Sequence, residues 1–248
     1  MNVPSRDHEL LSLFSRLADT LVDDFDVVDL MQDLVDAYHD LFGFAEAGIL
    51  LSDGRSDDLE VVASTSEDAR LLEVMQIAAH AGPCIDCFRT GEQVSVPDIA
   101  QTPPKWAAFR TVAESLGVSA VHAIPMRLRD TTIGTVNLLR AEPGELAPAD
   151  VFAVRALADV ASIGVLQHRA LRNAEDLARQ LQQALDSRIV IEQAKGVVSH
   201  LLGCSVEDAF SLLRSYARRN TLPLRTVAAR IVDRSLPPTT LLAKWQGR

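Results

Sequence analysis

No run of the chain approaches the roughly 20 consecutive apolar residues that a bilayer-crossing helix needs, so a membrane-spanning segment is not expected. The first residues, Met-Asn-Val-Pro-Ser-Arg-Asp-His, are polar and no apolar signal-peptide core follows them, which points to a cytoplasmic protein. Cysteine is scarce. Cys84, Cys87 and Cys204 make an odd count without secretory context, which argues against a disulfide framework and for reduced thiols. There is one Cys-x-x-Cys, at Cys84 and Cys87, but no second one and no His-x-x-x-His, so no four-ligand metal site is expected. A Walker-type phosphate loop, Gly-x-Ser-x-Gly and His-Glu-x-x-His are all missing. No catalytic constellation is left to propose from motifs, and no cofactor is identified.

What is present is a marked division of charge. The chain has 24 Lys and Arg and 34 Asp and Glu; residues 187–248 hold 10 of the former and 4 of the latter. That segment is therefore +6 (10 − 4), and the residues before it are −16 (14 − 30). Such asymmetry places a nucleic-acid contact at one end and disfavours it elsewhere. The 248 residues suffice for one large or two modest domains, and 48% apolar with 23% charged residues is ordinary for a soluble globular protein.

Along the chain, Leu10, Leu13, Phe14, Leu17 and Leu21 keep one helical face, and Val27, Leu30, Leu34, Ala37, Tyr38 and Leu41 continue it after a charged break at Asp23-Asp24. Gly43 ends this helical region. Strands are expected at 47–51 and 59–64, joined by a polar turn over 52–58, and a helix over 71–79 that Gly82-Pro83 breaks. A short strand at 93–96, a loop at Thr102-Pro103-Pro104 and a helix over 106–116 follow. The clearest hairpin pairs 118–128 with 131–139 around Arg129-Asp130, with Val121, Ala123, Pro125 and Ile133, Thr135, Asn137, Leu139 alternating with their neighbours. This order predicts an α+β domain with a largely antiparallel sheet, and argues against a phosphoacceptor receiver, which needs alternating parallel strands and helices.

Beyond Pro148-Ala149-Asp150 no strong breaker except Gly164 occurs before Gly196, which predicts a long connector helix from about 149 to 185. Leu171, Ala174, Ala178, Leu181 and Leu185 form a heptad-like seam on it, either a weak coiled coil and dimer contact or, for its first half, packing on its own sheet. Three amphipathic helices follow. The first repeats Val190, Ile191, Ala194, Val197, Val198 and Leu201 and stops at Gly203. The second opens at Ser205 with Asp208 three residues on and buries Val206, Ala209, Phe210, Leu213 and Ala217. The third starts near Pro223 and buries Leu224, Val227, Ala228, Ile231 and Val232, with Arg225, Thr226, Arg230 and Arg234 on its other side.

Ile191-Glu192-Gln193-Ala194-Lys195-Gly196, with Ala209-Phe210, Leu213-Arg214, Ala217, Asn220, Leu224, Val227-Ala228 and Ile231-Val232, resembles the ANTAR domain over about 50 residues. The resemblance implies an RNA-binding three-helix module for transcription antitermination, whose dimer reads the hexaloops of two short RNA hairpins in a messenger leader. Upstream, Gly82-Pro83-Cys84, Gly91, Val94-Ser95-Val96-Pro97-Asp98 and Ile133-Gly134-Thr135-Val136-Asn137-Leu138 resemble a GAF domain, which implies a sensory module with a pocket for an unknown small molecule. The Asn-Lys-x-Phe-x-x-x-Asp-Glu pattern of cyclic-nucleotide GAF domains is missing, so the ligand stays open. The expected organisation is a GAF-like sensor over 10–165, a helical connector over 166–186, an ANTAR-like bundle over 187–236 and a C-terminal tail over 237–248.

RNA loops offer splayed bases that stack on guanidinium or aromatic planes, and phosphates that pair with cations. Arg214, Tyr216, Arg218 and Arg219 supply such groups on or beside one helix; Gln193, Lys195 and Thr226 add an amide, a cation and a hydroxyl. The arginines are alternatively a solvated helix face paired with Glu207 and Asp208, and Tyr216 is alternatively a residue that closes the core. Cys84 and Cys87, with His122, are candidates for a sensor pocket or a redox pair, while inert packing of the thiols is the competing reading. The GAF fold also includes enzymes that reduce free methionine sulfoxide with cysteines, so a thiol-based sensor or reductase stands as the alternative to a regulator, and a protein-docking bundle as a third. The expectation is a non-enzymatic homodimeric regulator.

Overall fold

The computed structural model describes residues 6–19, 25–54 and 58–242. Leu21, the Asp23-Asp24 break and Arg55–Asp57 of the first turn lie outside the described residues. The chain divides into two compact units, Met1–Ala170 and Leu171–Arg248.

In the first unit, α1 (Arg6–Asp19) and α2 (Val27–Phe42) precede a sheet of β1 (Glu46–Ser52), β2 (Leu59–Ser64), β3 (Val94–Val96), β4 (Ala120–Leu128) and β5 (Thr131–Arg140). The order is β2-β1-β5-β4-β3 with every neighbour antiparallel, as the strand spacing predicts. α3 (Glu67–Ala79), α4 (Pro83–Thr90) and α5 (Ala107–Ser115) complete it, with the first part of α6 (Pro148–Leu202). Asp26 caps α2 through its carboxylate and Ser66 caps α3, starting that helix four residues before its apolar repeat does.

Helices clothe both faces of the sheet. Ala47, Ile49 and Leu51 of β1, with Ile124, Met126, Val136 and Leu138, pack on α1, α2 and Val154, Leu157, Ala158, Ala161 and Val165 of α6. On the other face Leu50 meets α4, and Val121 and Leu139 meet α3 and α5. Alternation in β4 and β5 therefore sorts side chains between two cores; residues 120–126 and 133–139 are all buried. Pro125 is tolerated in β4 because β3 ends its pairing at Ala123, so no ladder partner faces Pro125 on that side.

α4 went unread in the sequence. Gly82-Pro83 separates two helices, because proline at the first helical position starts a helix as readily as it stops one. Gly82 sits at φ +145°, and a Cβ there would come within 2.3 Å of Gln76 Oε1, so glycine is needed for both conformation and space.

The expected end of the connector at 185 is corrected. α6 runs unbroken from Pro148 to Leu202, so the connector and the first helix of the bundle are one helix, and Gly164 and Gly196 are both accommodated within it at about 1 kcal/mol each. Every residue from 170 to 185 is exposed, the seam of Leu171, Ala174, Ala178, Leu181 and Leu185 included.

In the second unit, α7 (Val206–Arg219) and α8 (Leu224–Val232) close on Ala194 and Val198 of α6. Gly203 at φ +62° ends α6, and the Ser205 hydroxyl accepts from Asp208 N at 3.0 Å while donating to the Asp208 carboxylate at 2.8 Å. Leu201, Val206 and Val232, expected inside, are exposed; Leu212 is buried in their stead. The segment expected as a tail is partly structural. Pro238–Leu242 forms a 3₁₀ turn that places Leu241 and the preceding Leu236 in the bundle core, a device too short for periodicity to reveal. Residues 243–248 lie outside the described residues.

Candidate functional site

The bundle presents its basic residues unequally. Arg214 and Arg218, one turn apart on α7, are exposed, opposite the buried Ala209, Leu212, Leu213 and Ala217. Gln193 of α6 and Thr226 of α8 are exposed as well. Arg219 donates from Nη2 to the Leu241 carbonyl at 3.3 Å, which ties α7 to the 3₁₀ turn. Tyr216 is half-buried against the bundle core, so part of its ring is committed to packing. Lys195 is the most engaged of the set: its side chain is 18% exposed, it bonds both Glu192 oxygens at 2.9 and 3.0 Å, and Nζ lies 5.6 Å from the Phe210 ring centroid. The freely presented groups are thus Gln193, Arg214, Arg218 and Thr226; Lys195, Tyr216 and Arg219 also hold the bundle together.

In the first unit, Cys84 and Cys87 lie one turn apart on α4, both unpaired and fully buried. Burial pushes the Cys84 thiol well above its ordinary value, reinforced by the Glu73 carboxyl beside it. Burial also pushes Cys87 up to about 12. At that value only about one thiol in 10⁵ is thiolate at neutral pH, and the thiolate is the reactive form. His122 is not brought to them. It shares a strand face with Ile124 and Met126, toward α6, whereas the cysteines lie beyond the opposite face. Its Nε2–H donates to the Gly144 carbonyl at 3.2 Å, leaving Nδ1 to accept from the Ser95 hydroxyl at 3.2 Å in the neutral ring that burial favours. Among the described residues no group of His, Cys, Asp and Glu fit for a metal is found. We expect the Cys84→Ser/Cys87→Ser variant to bind RNA as the parent does, and the parent to bind equally when oxidised and reduced. A redox-dependent affinity in the parent, lost in the variant, would make the pair a thiol switch.

Sequence reasoning missed the centre of this unit, the carboxyl of Glu73 on α3. It is fully buried; Oε2 accepts from Asn137 Nδ2 at 2.9 Å and from Gln76 Nε2 at 3.2 Å, and the Cys84 thiol bonds the same carboxyl. Gln76 Oε1 in turn accepts from the Cys84 backbone N–H at 3.1 Å. The network joins α3, α4 and β5 over Gly48, where a Cβ would lie 3.1 Å from Glu73 Oε1. Glu73 Oε1, Asn137 Oδ1 and Thr135 Oγ1 have no partner among the described residues. Burial raises Glu73 to about 8, against the lowering effect of its hydrogen bonds, so the carboxyl is protonated at neutral pH. The signal was in the sequence: Ala69, Leu72, Glu73 and Gln76 hold one helical face, which places a carboxylate at a core position.

A five-stranded antiparallel sheet clad by helices on both faces, with a helical bundle after it, defines an α+β domain followed by an all-α module. The model of the GAF domain matches residues 26–165, and that of the ANTAR domain matches residues 179–232. The chain belongs to the GAF domain family and carries an ANTAR domain after it, an arrangement that joins a sensory domain to an RNA-binding one. No curated protein matches the sequence. Among solved structures the chain is similar to the free methionine-R-sulfoxide reductase of Neisseria meningitidis in complex with its substrate, at 17% identity and TM-score 0.53, over 69% of this chain and 96% of that one. It is also similar to the GAF domain of a phosphoenolpyruvate-protein phosphotransferase from Coxiella burnetii, at 12% identity and TM-score 0.53, over 68% and 99%. A GAF domain/HD domain protein from Geobacter sulfurreducens gives 21% identity and TM-score 0.50, over 62% and 99%. At these identities the likeness concerns the fold. No described helix is long and apolar enough to cross a membrane.

Proposed function

We propose that the protein is a signal-responsive transcription antiterminator: a cytoplasmic homodimer in which a sensor over 10–165 acts through a connector over 166–186 on an RNA-binding bundle over 187–236. The RNA is a messenger leader with two hexaloop hairpins, and each bundle takes one hairpin through Arg214 and Arg218, with Gln193, Lys195, Tyr216, Arg219 and Thr226 around them. The observation that carries this reading is the exposed Arg214–Arg218 pair on α7, inside the segment that matches the ANTAR domain and in the only net-positive stretch of the division above. A change in the sensor alters the pairing of two α6 helices and so decides whether both hairpins are held at once. A regulatory reading is favoured over a catalytic one because both Cys-x-x-Cys thiols are buried and held protonated. Leu241 of the stretch 237–248 completes the bundle core.

Arg214→Ala should weaken binding to a two-hairpin RNA by about 1–3 kcal/mol if the guanidinium reaches a base, or lower the salt slope by about one if it reaches a phosphate. Lys195→Ala should fall at the lower end of that range, since its ammonium is shared with Glu192. Affinity measured against salt concentration, on variants whose helicity matches the parent, checks both. Unchanged affinity and slope for the two would remove them from the RNA site.

A further inference from the structure

A cleft of about 460 Å³ opens between the end of α3, the outer side of α4 and the starts of β2 and β5. This is within the size range of small-molecule sites, roughly 300–1,000 Å³. Its floor is apolar: Leu59, Ile77, Ile85 and Phe88 belong to the cluster that also contains Leu50 and Cys84. Its rim is polar, formed by Asp58, His80, Arg89 and Thr132. Arg89 is exposed, and its one hydrogen bond among the described residues runs from Nη1 to the His80 carbonyl at 3.4 Å, which leaves the rest of the guanidinium fork available for an anion. Asp58 on the same rim disfavours a ligand with several negative charges.

Resting on the reading of this domain as the sensor, we propose that the cleft is its ligand site and that the ligand is a small monoanionic organic acid. The apolar body lies on Ile77, Ile85 and Phe88 while the carboxylate meets Arg89. The site is placed to act on the domain. Ile77 is one residue from Gln76 and Ile85 one residue from Cys84, the two residues whose hydrogen bond joins α3 to α4.

Three probes of one shape separate body from charge: phenylacetate, 2-phenylethylamine and 2-phenylethanol. Titrated into the full chain and followed by backbone amide shifts, phenylacetate should bind at least about fivefold tighter than the other two, with shifts centred on Ile77, Ile85, Phe88 and Arg89. Arg89→Gln should erase that preference while leaving binding of the alcohol unchanged. Phe88→Ser should weaken all three probes about tenfold. Equal binding of amine and acid, shifts centred elsewhere, or a preference that survives Arg89→Gln would overturn the assignment. Two-hairpin RNA binding by the parent is measured in the same samples. Intact RNA binding with no preference for phenylacetate rejects this site alone, whereas loss of RNA binding with acid-selective binding rejects the antiterminator reading and keeps the site.

Discussion

Glu73→Gln should stabilise the protein, and the gain should grow as the pH rises from 5 to 8. The folded state holds the Glu73 proton up to about pH 8, whereas the unfolded chain releases it near 4.5. Between those values the unfolded state binds fewer protons than the folded one. Stability attributable to this group is therefore whole below about pH 4.5 and falls as pH rises, by up to about 1.4 kcal/mol per unit, until ionisation in the folded state ends the fall near pH 8. Glutamine has the same shape, keeps an oxygen for Asn137 Nδ2 and Gln76 Nε2, and has no proton to lose. At pH 7 the variant should be more stable by roughly 3 kcal/mol, a rise in Tm on the order of 5–10 °C; at pH 5 it should gain less than about 1 kcal/mol. Thermal unfolding of both proteins across this range checks the slope. An increment that is the same at pH 5 and pH 8 would show that the carboxyl is not held protonated by the fold.

That a carboxyl should sit at the heart of the sensor is readable from the residues only once the helix face is drawn. Glu73 lies between Leu72 and Val74, and the apolar repeat looks continuous if the glutamate is assigned to solvent; in fact Leu71 and Val74 are the exposed residues and Glu73 is enclosed. Periodicity identifies a helix more surely than it identifies which side is covered, because a sheet with helices on both faces has no solvent side against which to orient them. The same cause made β4 and β5 legible as strands yet ambiguous in their facing. The five strands, α5 and the cap at Ser205 were readable because each depends on local chemistry. α4 was not, because eight residues give too short a repeat to register.

In the bundle, positions whose role is set by a single helix were legible: the Ser205 cap, the stop at Gly203, and the exposed Arg214 and Arg218. What escaped was decided by contacts distant in sequence. Leu241 fills a core that α6, α7 and α8 leave open, and this engages Arg219 by offering its carbonyl. Lys195 looked like a free cation at a motif position, but Glu192 one turn earlier and Phe210 on the next helix both claim it. For the sensor, Gly82-Pro83-Cys84 drew notice to the cysteines, whereas the groups that shape this region are Glu73, Gln76 and Asn137, which carry no motif. A sheet also divides what a list of residues joins: His122 and the cysteines were grouped by residue type and lie on opposite faces.

Leu181→Asp should convert a dimer that grips two hairpins into a monomer that grips one. Leu181 is 57% exposed in the single chain, within a stretch where every residue from 170 to 185 faces solvent. In the proposed homodimer the apolar residues among these sixteen are buried against a second α6. The seam mixes three leucines with two alanines, which lets two helices approach closely but buries less area than an all-leucine seam, so the dimer should be modest in strength. An aspartate at this position would have to be buried unpaired against its symmetry mate, a cost larger than such a seam can offset. Holding two hairpins together multiplies affinity by about 10²-fold or more over holding one. The parent should therefore prefer a two-hairpin RNA by that factor, and Leu181→Asp should lose the preference while its affinity for a single hairpin stays the same. Sedimentation of the variant beside titrations with one-hairpin and two-hairpin RNAs reads both quantities. A variant that sediments as a dimer and keeps the parent's preference would move the dimer contact out of the connector and into the sensor domain.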